Sequence, residues 1–346
     1  MKTVFNKEFE MKKVLFILAT FSLLAACGGV SVPESNSGKL NVVATTSIVA
    51  DIVRQVGGDL IDVEILLPEG TDPHSFDPSP QDIAMVADAD IIFANGAGLE
   101  AFIEHLLESA GAEERVVEVS KGVELLTHPE DSHTEDEGDH ADHEEGEDGH
   151  HDEHEEDEDG HHDDHEDHAH DKGDPHTWTD PNNVMIWVQN IELALSEADS
   201  SNGQKYAESA ASYISELEEI DAWIREEIMK IPVEKRKIVT DHRLLGYYVE
   251  EYGLEQVGAI VEGYSSLAEP SAQELAEIED AISALGVQAI FVGNTVNANL
   301  AEQISEDTGI KLVYFYTGSL SEAGGEAESY LDYLRYNTNA FVNALK

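Results

Sequence analysis

The sequence predicts an α/β fold: two β-α lobes with parallel-type sheets, joined by one long rigid helix, with a metal site in the cleft between the lobes. Three observations predict it. Short apolar runs alternate with helical patterns in two separate series, which implies parallel sheets covered on both faces. Between the series, residues 204–230 carry apolar side chains at spacings of three and four, closed by Pro232. The turn Asp-Pro-His, followed by a hydroxyl residue, an aromatic and then Asp-Pro, begins at Asp72 and again, with Thr179 added before the Asp-Pro, at Asp174.

Taken in order, the chain begins with a processing signal. Lys12 and Lys13 precede an apolar core, Val14 to Ala26, too short to span a bilayer. Leu24-Ala25-Ala26-Cys27 resembles the bacterial lipoprotein box, so residues 1–27 are expected to be a signal peptide ending in a lipidated Cys27, with Met11 as an alternative start. Cys27 is the sole cysteine, which excludes internal disulfides and thiolate metal sites from the exported chain. Residues 28–38, rich in Gly and Ser with Pro33, are expected to be a tether. The first lobe, 39–203, reads as strands at 41–44, 63–67, 90–94 and 115–119 and helices at 48–56, 80–87, 99–109 and 182–196. The linking helix, 204–230, would be a rod of about 40 Å. The second lobe, 231–346, reads as strands at 237–240, 255–261, 288–292 and 311–315 and helices at 244–252, 271–285, 297–308 and 323–344. A rigid connector permits only modest closure, so a ligand is expected in a largely pre-formed cleft, beyond the strand carboxyl ends.

Proline fixes its own φ and disfavours the helical region for the residue before it, so His74 and His176 sit on pre-set corners. Pre-set imidazoles suit a metal. His242, in Val239-Thr240-Asp241-His242, follows a short apolar run and is a third candidate. Three nitrogen donors from three loops suggest a zinc-type site; the alternative for each is a turn histidine bonded to nearby backbone. Asp72, Asp174 and Asp241 are candidate acceptors for the second ring N–H of these histidines, or else local turn formers.

Twelve of the 16 histidines fall in the segment 128–172: His128, His133, His140, His143, His150, His151, His154, His161, His162, His165, His168 and His170. They lie amid Asp, Glu and Gly with almost nothing apolar, a composition expected to be disordered without ligand. The functional expectation is a low-affinity, metal-gathering arm that releases metal on mild acidification, because free imidazole titrates near pH 6.5. A solvated insertion with no required role is the alternative. Residues 129–171 hold 23 acidic residues and no Lys or Arg, so −31 of the formal charge of −54 belongs to the rest of the chain. Such a field disfavours nucleic acid and anionic lipid and favours cationic ligands.

The chain resembles the metal-specific, TroA-like substrate-binding proteins of bacterial ABC transporters, and their zinc-uptake branch in particular. The matching residues span 40–346: Val43-Ala44-Thr45-Thr46-Ser47, Asp72-Pro73-His74 with Asp77-Pro78, the histidine-rich loop, Asp174-Pro175-His176-Thr177-Trp178 with Asp180-Pro181, Thr240-Asp241-His242, Tyr252-Gly253-Leu254, Glu269-Pro270-Ser271, and Tyr330 to Asn337. The resemblance implies that His74, His176 and His242 ligate a transported metal. It implies Zn(II), because manganese-selective relatives commonly place a glutamate at the third position and imidazole prefers zinc. Relatives often carry an Asp where this chain has Gly318, so the fourth ligand would be water, a donor from the arm, or a nearby carboxylate such as Glu262 or Asp241. A lipid-anchored, exported monomer that docks on an ABC permease, binds no nucleic acid and performs no catalysis is the implied whole. Two other readings are a metal buffer or surface adhesin dominated by the arm, and a three-histidine zinc hydrolase. The absence of a His-Glu-x-x-His helix and of a general-base motif argues against the hydrolase.

Overall fold

The computed structural model describes residues 38–127 and 173–346, so Cys27, the tether and the histidine-rich arm lie outside the described residues, apart from Gly38 at the tether's end. Strands β1 (Leu40–Ala44), β2 (Ile61–Ile65), β3 (Ile91–Ala94) and β4 (Val116–Glu118) form a parallel sheet in the order β2-β1-β3-β4. Strands β5 (Lys237–His242), β6 (Glu255–Val261), β7 (Ala289–Gly293) and β8 (Lys311–Phe315) repeat that topology as β6-β5-β7-β8. In each sheet the chain leaves the first strand for one neighbour and then crosses to the other side. The switch points, between β1 and β3 and between β5 and β7, are where a crevice opens beyond the carboxyl ends. Strands β3 and β7 are buried along their whole length, as strands covered on both faces must be.

Helices α1 (Ser47–Gly57), α2 (Pro80–Asp88) and α3 (Ile103–Ala110) belong to the first series. Next come α4 (Pro181–Ala198) and the long α5 (Gly203–Ile228), then α6 (Gly246–Tyr252), α7 (Ala272–Leu285), α8 (Asn299–Thr308) and α9 (Tyr330–Leu345). Helix α5 buries Tyr206, Tyr213, Leu217, Ile220 and Ile224 and packs on α1, α4 and α9. The outer layer of each sheet has its own apolar cluster, around Ile92 and Leu106 in one and Ile290 and Ile282 in the other. The inner layers do not. One cluster runs from Val42 and Phe93 through Trp187, Tyr213 and Leu217 to Phe291 and Phe315, so the two sheets share a single apolar spine.

Both histidine turns lead into helix starts. Ser79 and Asp82 form a capping box around Pro80 at the start of α2, and Asp180 accepts the N–H of Asn182 with Pro181 opening α4. Two helices depart from the expected bounds. Helix α3 begins at Ile103 instead of residue 99, because Leu99 is buried and Glu100 folds back onto the preceding loop. Helix α9 begins at Tyr330 instead of 323, capped by Ser329 after the Gly324-Gly325 turn. Strand β5 extends to residue 242, which places His242 at the carboxyl end of a central strand. Among the described residues no helix is long and apolar enough to cross a membrane.

Candidate metal centre

The first turn, Asp72-Pro73-His74, is closed by Asp72 Oδ1, which accepts the backbone N–H of His74 at 3.0 Å. The second, Asp174-Pro175-His176, closes in the same way, with Asp174 Oδ1 accepting the N–H of His176 at 2.9 Å. The intervening proline holds each aspartate in the extended conformation that this side-chain turn needs. In the second turn the same carboxylate oxygen also takes His176 Nδ1, at 2.7 Å. His242 repeats the arrangement on a strand end: Asp241 Oδ1 accepts its backbone N–H at 2.6 Å and also meets its Nδ1, while Asp241 Oδ2 accepts the N–H of Gly293 from β7. A carboxylate on Nδ1 fixes the proton there, and Nε2 keeps the lone pair that a metal requires.

These three imidazoles converge. Their candidate ligand nitrogens all lie within 4.8 Å of one another, and among the described residues they are the one such group of potential ligands. His74 Nε2 and His176 Nε2 are 3.2 Å apart, close to the separation of about 3.3 Å expected for two nitrogens bound tetrahedrally to zinc at about 2.05 Å. The rings meet edge to face, with centroids 5.2 to 5.8 Å apart. His176 and His242 are buried and His74 is half-buried.

Burial governs the electrostatics. It pushes the Asp174 carboxyl up to about 7, against the lowering effects of the His176 N–H and of His242. Burial, reinforced by His242, also holds His176 well below the ordinary imidazole range. With His176 held neutral by burial, the Asp174–His176 contact is a hydrogen bond and not an ion pair.

The cavity the imidazoles face is small, about 10 Å³, and is walled by Pro73, Trp178, Leu244, Thr295, Thr317 and Gly318. It suits a single ion. A Cβ on Gly318 would lie 2.8 Å from Pro73 Cδ, so the packing leaves no room there for an acidic side chain. Glu262, expected as a candidate fourth ligand, stands elsewhere: it is exposed, paired with Arg243 (Nε to Oε2, 2.7 Å), and accepts the N–H of Ala259 at 3.2 Å. The register of β5 with β6 sets Val261, not Glu262, level with His242. Asp241 is occupied by His242 and Gly293, and Asp72 Oδ2 accepts the hydroxyl of Ser266.

Several ties that hold the cleft pair residues whose partners no local pattern reveals, Ser47 and Trp178 of the motifs above among them. Ser47 Oγ lies 3.2 Å from Ser319 Oγ and accepts the N–H of Leu320 at 2.9 Å, while Ser319 Oγ accepts the N–H of Gly70 at 2.9 Å. Trp178 Nε1 donates to the Thr317 carbonyl at 3.2 Å, and Tyr247 Oη donates to the Asp174 carbonyl at 2.7 Å. Each tie joins the first β-α series to the second.

Residues 42–344 match the sequence family described as zinc-uptake complex component A, periplasmic. The manganese-binding lipoprotein MntA of Halalkalibacterium halodurans is 30% identical over 340 residues, covering 97% of this chain and 99% of the relative. The manganese ABC transporter substrate-binding lipoprotein PsaA of Streptococcus pneumoniae serotype 4 is 29% identical over 346 residues, covering 98% and 99%. The periplasmic zinc-binding protein TroA from Treponema pallidum shares the fold, with a TM-score of 0.73 at 22% identity over 89% of this chain and 99% of that one. A Mn-bound periplasmic metal-binding protein from Candidatus Liberibacter asiaticus gives 0.69 at 24% identity, over 89% and 100%.

Proposed function

The chain belongs to the family of zinc-uptake complex component A, the periplasmic metal-binding receptors, and on that premise we propose that its cargo is Zn(II), held by His74, His176 and His242. Proteins of this family are the substrate-binding components of ABC metal importers, lipid-anchored outside the cytoplasm, and are not enzymes. The observation that carries the zinc reading is the donor set. Three imidazole nitrogens converge with no carboxylate oxygen among them, and imidazole suits zinc, whereas manganese favours carboxylate and carbonyl oxygen. The cavity admits one small ion, and no side-chain donor reaches it from position 318. Capture needs no turnover: the imidazole nitrogens exchange for the hydration shell of the ion, and an ABC permease receives it. The histidine-rich arm acts as an accessory that raises the local metal concentration, a role supported by its 12 histidines alone.

The names of the relatives at about 30% identity favour manganese instead. Competitive metal titration by calorimetry decides between them, on the chain with and without residues 129–171. One tight zinc site that survives arm deletion, with weak manganese binding, is the expected result. Tighter manganese than zinc binding would overturn the cargo assignment, and loss of all tight binding with the arm would recast the protein as a metal buffer.

A further inference from the structure

Glu100 is an acidic residue that the metal centre does not touch, yet it is only 3% exposed. Its carboxylate accepts the Thr45 hydroxyl at 2.6 Å, the Asn95 N–H at 2.7 Å and the Gly96 N–H at 3.1 Å. Burial raises its pKa against these three donors. The site is the switch point of the first sheet: Thr45 follows β1 and Asn95 follows β3. Backbone N–H groups that run off the end of a sheet into buried loop need acceptors, and Glu100 supplies them by folding back before α3 begins. The loop curls round the carboxylate through Gly96, Ala97 and Gly98, at φ of 79°, 55° and 83°. For Ala97 that region is unfavourable, so the curl is maintained by what it encloses.

Fixing the Asn95 backbone aims its side chain. Asn95 Nδ2 donates to the Gly96 carbonyl at 2.8 Å and to the Pro175 carbonyl at 3.0 Å, 80 residues away. The amide oxygen of Asn95 is left buried without a partner, so the side chain is oriented by what its nitrogen reaches. The Pro175 carbonyl is half of the peptide that joins Pro175 to His176. Rotation of that peptide would carry the His176 N–H away from Asp174 Oδ1, and with it the Nδ1 contact to the same oxygen.

We propose that Glu100 is a positioning residue of the metal centre: through Asn95 it holds the Pro175 carbonyl, and so the backbone of His176, in the ligating arrangement before metal arrives. This rests on His176 being a ligand. The chain Glu100, Asn95, Pro175 joins the switch point of the first sheet to the second histidine turn.

The test uses the full chain, stripped of metal, as Glu100→Gln, Asn95→Ala, the double variant and His176→Ala. The probes are zinc, by chelator competition, and cobalt(II), whose visible absorption distinguishes a four-coordinate nitrogen site from looser carboxylate-rich binding. Each single variant is expected to weaken the cobalt and zinc site about tenfold, in the range for residues that orient a ligand. The cobalt bands should shift, and the double variant should bind no more weakly than the poorer single. Parent affinity and parent cobalt bands in both singles would overturn the proposal, as would losses that add in the double variant. Should Glu100→Gln fail to fold, Asn95→Ala carries the test, since it leaves the Asn95 N–H on Glu100 and removes only the bonds from Nδ2. Undiminished binding by His176→Ala would sink the ligand assignment itself, whereas loss there with no change at Asn95 and Glu100 would sink only the positioning role.

Discussion

Gly318→Ala is the substitution whose effect the structure specifies most closely. The added Cβ would sit 2.8 Å from Pro73 Cδ and 3.1 Å from Pro73 Cγ. Non-bonded carbons settle at about 3.5–4.0 Å, so the two residues must part by about 0.7 Å. The side of Gly318 is tied down. The Thr317 N–H is held by Asn294 Oδ1 at 2.9 Å and its carbonyl by Trp178 at 3.2 Å, while Ser319 is held by Gly70 at 2.9 Å. The half-buried first turn therefore yields, and it carries His74 with it. A displacement of this size exceeds the tolerance of about 0.5 Å for a working constellation, and overpacking of this kind costs about 1–3 kcal/mol. Zinc affinity should fall by about 5- to 150-fold. Calorimetric competition against a chelator measures it on the parent and the variant. Adding Pro73→Ala, which deletes both contacted carbons, should recover part of the loss. Zinc affinity within about twofold of the parent in Gly318→Ala would refute the reasoning, because the contact would then not limit the position of His74.

His176→Ala should weaken zinc binding more than tenfold, over about 1.4 kcal/mol; unchanged affinity would remove it from the site. Ser47→Ala leaves the Leu320 N–H without its acceptor and deprives Ser319 of a partner, so urea unfolding of the metal-free protein should show a loss of about 1–3 kcal/mol. The pH dependence of the metal-free fold follows from its buried carboxyls. Asp51, Glu100, Asp174 and Asp180 are all raised by burial, Asp174 to about 7. A raised carboxyl keeps its proton in the folded state after the unfolded chain has released it near pH 4, so its contribution falls as pH rises from there through the folded value. His176, held well below the ordinary imidazole range, works in the opposite sense as the unfolded imidazole gains its proton below about pH 6.5, so the carboxyl effect is read in the His176→Ala background, where stability should be greater near pH 5 than near pH 7.5, in the same sense as relief of the acidic self-repulsion. A urea midpoint that rises with pH over that interval would contradict the sign.

The zinc reading and the names of the relatives pull in different directions, and the chemistry of the third position is where they meet. A carboxylate in place of His242 would bring an oxygen donor to a strand end whose preceding residue, Asp241, now holds an imidazole by Nδ1. Here Asp241 has an imidazole proton to accept; with a glutamate at 242 it would face a like charge. The local pair is thus matched to nitrogen ligation.

The sequence by itself determined the alternation of strands and helices, the long apolar-periodic rod and the two Asp-Pro-His corners. Each is local: periodicity is set by which face is buried, and a proline constrains its neighbours wherever the chain goes. Residues 41–44, 255–261 and 311–315 could be read as strands for that reason. The three histidines could be named from the same signals together with the family resemblance. What only the tertiary structure decided is which groups share a space. Val261 and not Glu262 stands level with His242 because of strand register, and Gly318 excludes a carboxylate because the Pro73 ring already lies against it. Glu100 interrupts what reads as a helix from 99 because three donors at the sheet's end draw it inward. Ser47 meets Ser319 across 272 residues, and Asn95 meets Pro175 across 80. Hydrogen bonds and close contacts between distant segments leave no periodicity in the chain. They arise where the two sheets are brought together on their shared apolar spine, and there the positions of the three converging imidazoles are set.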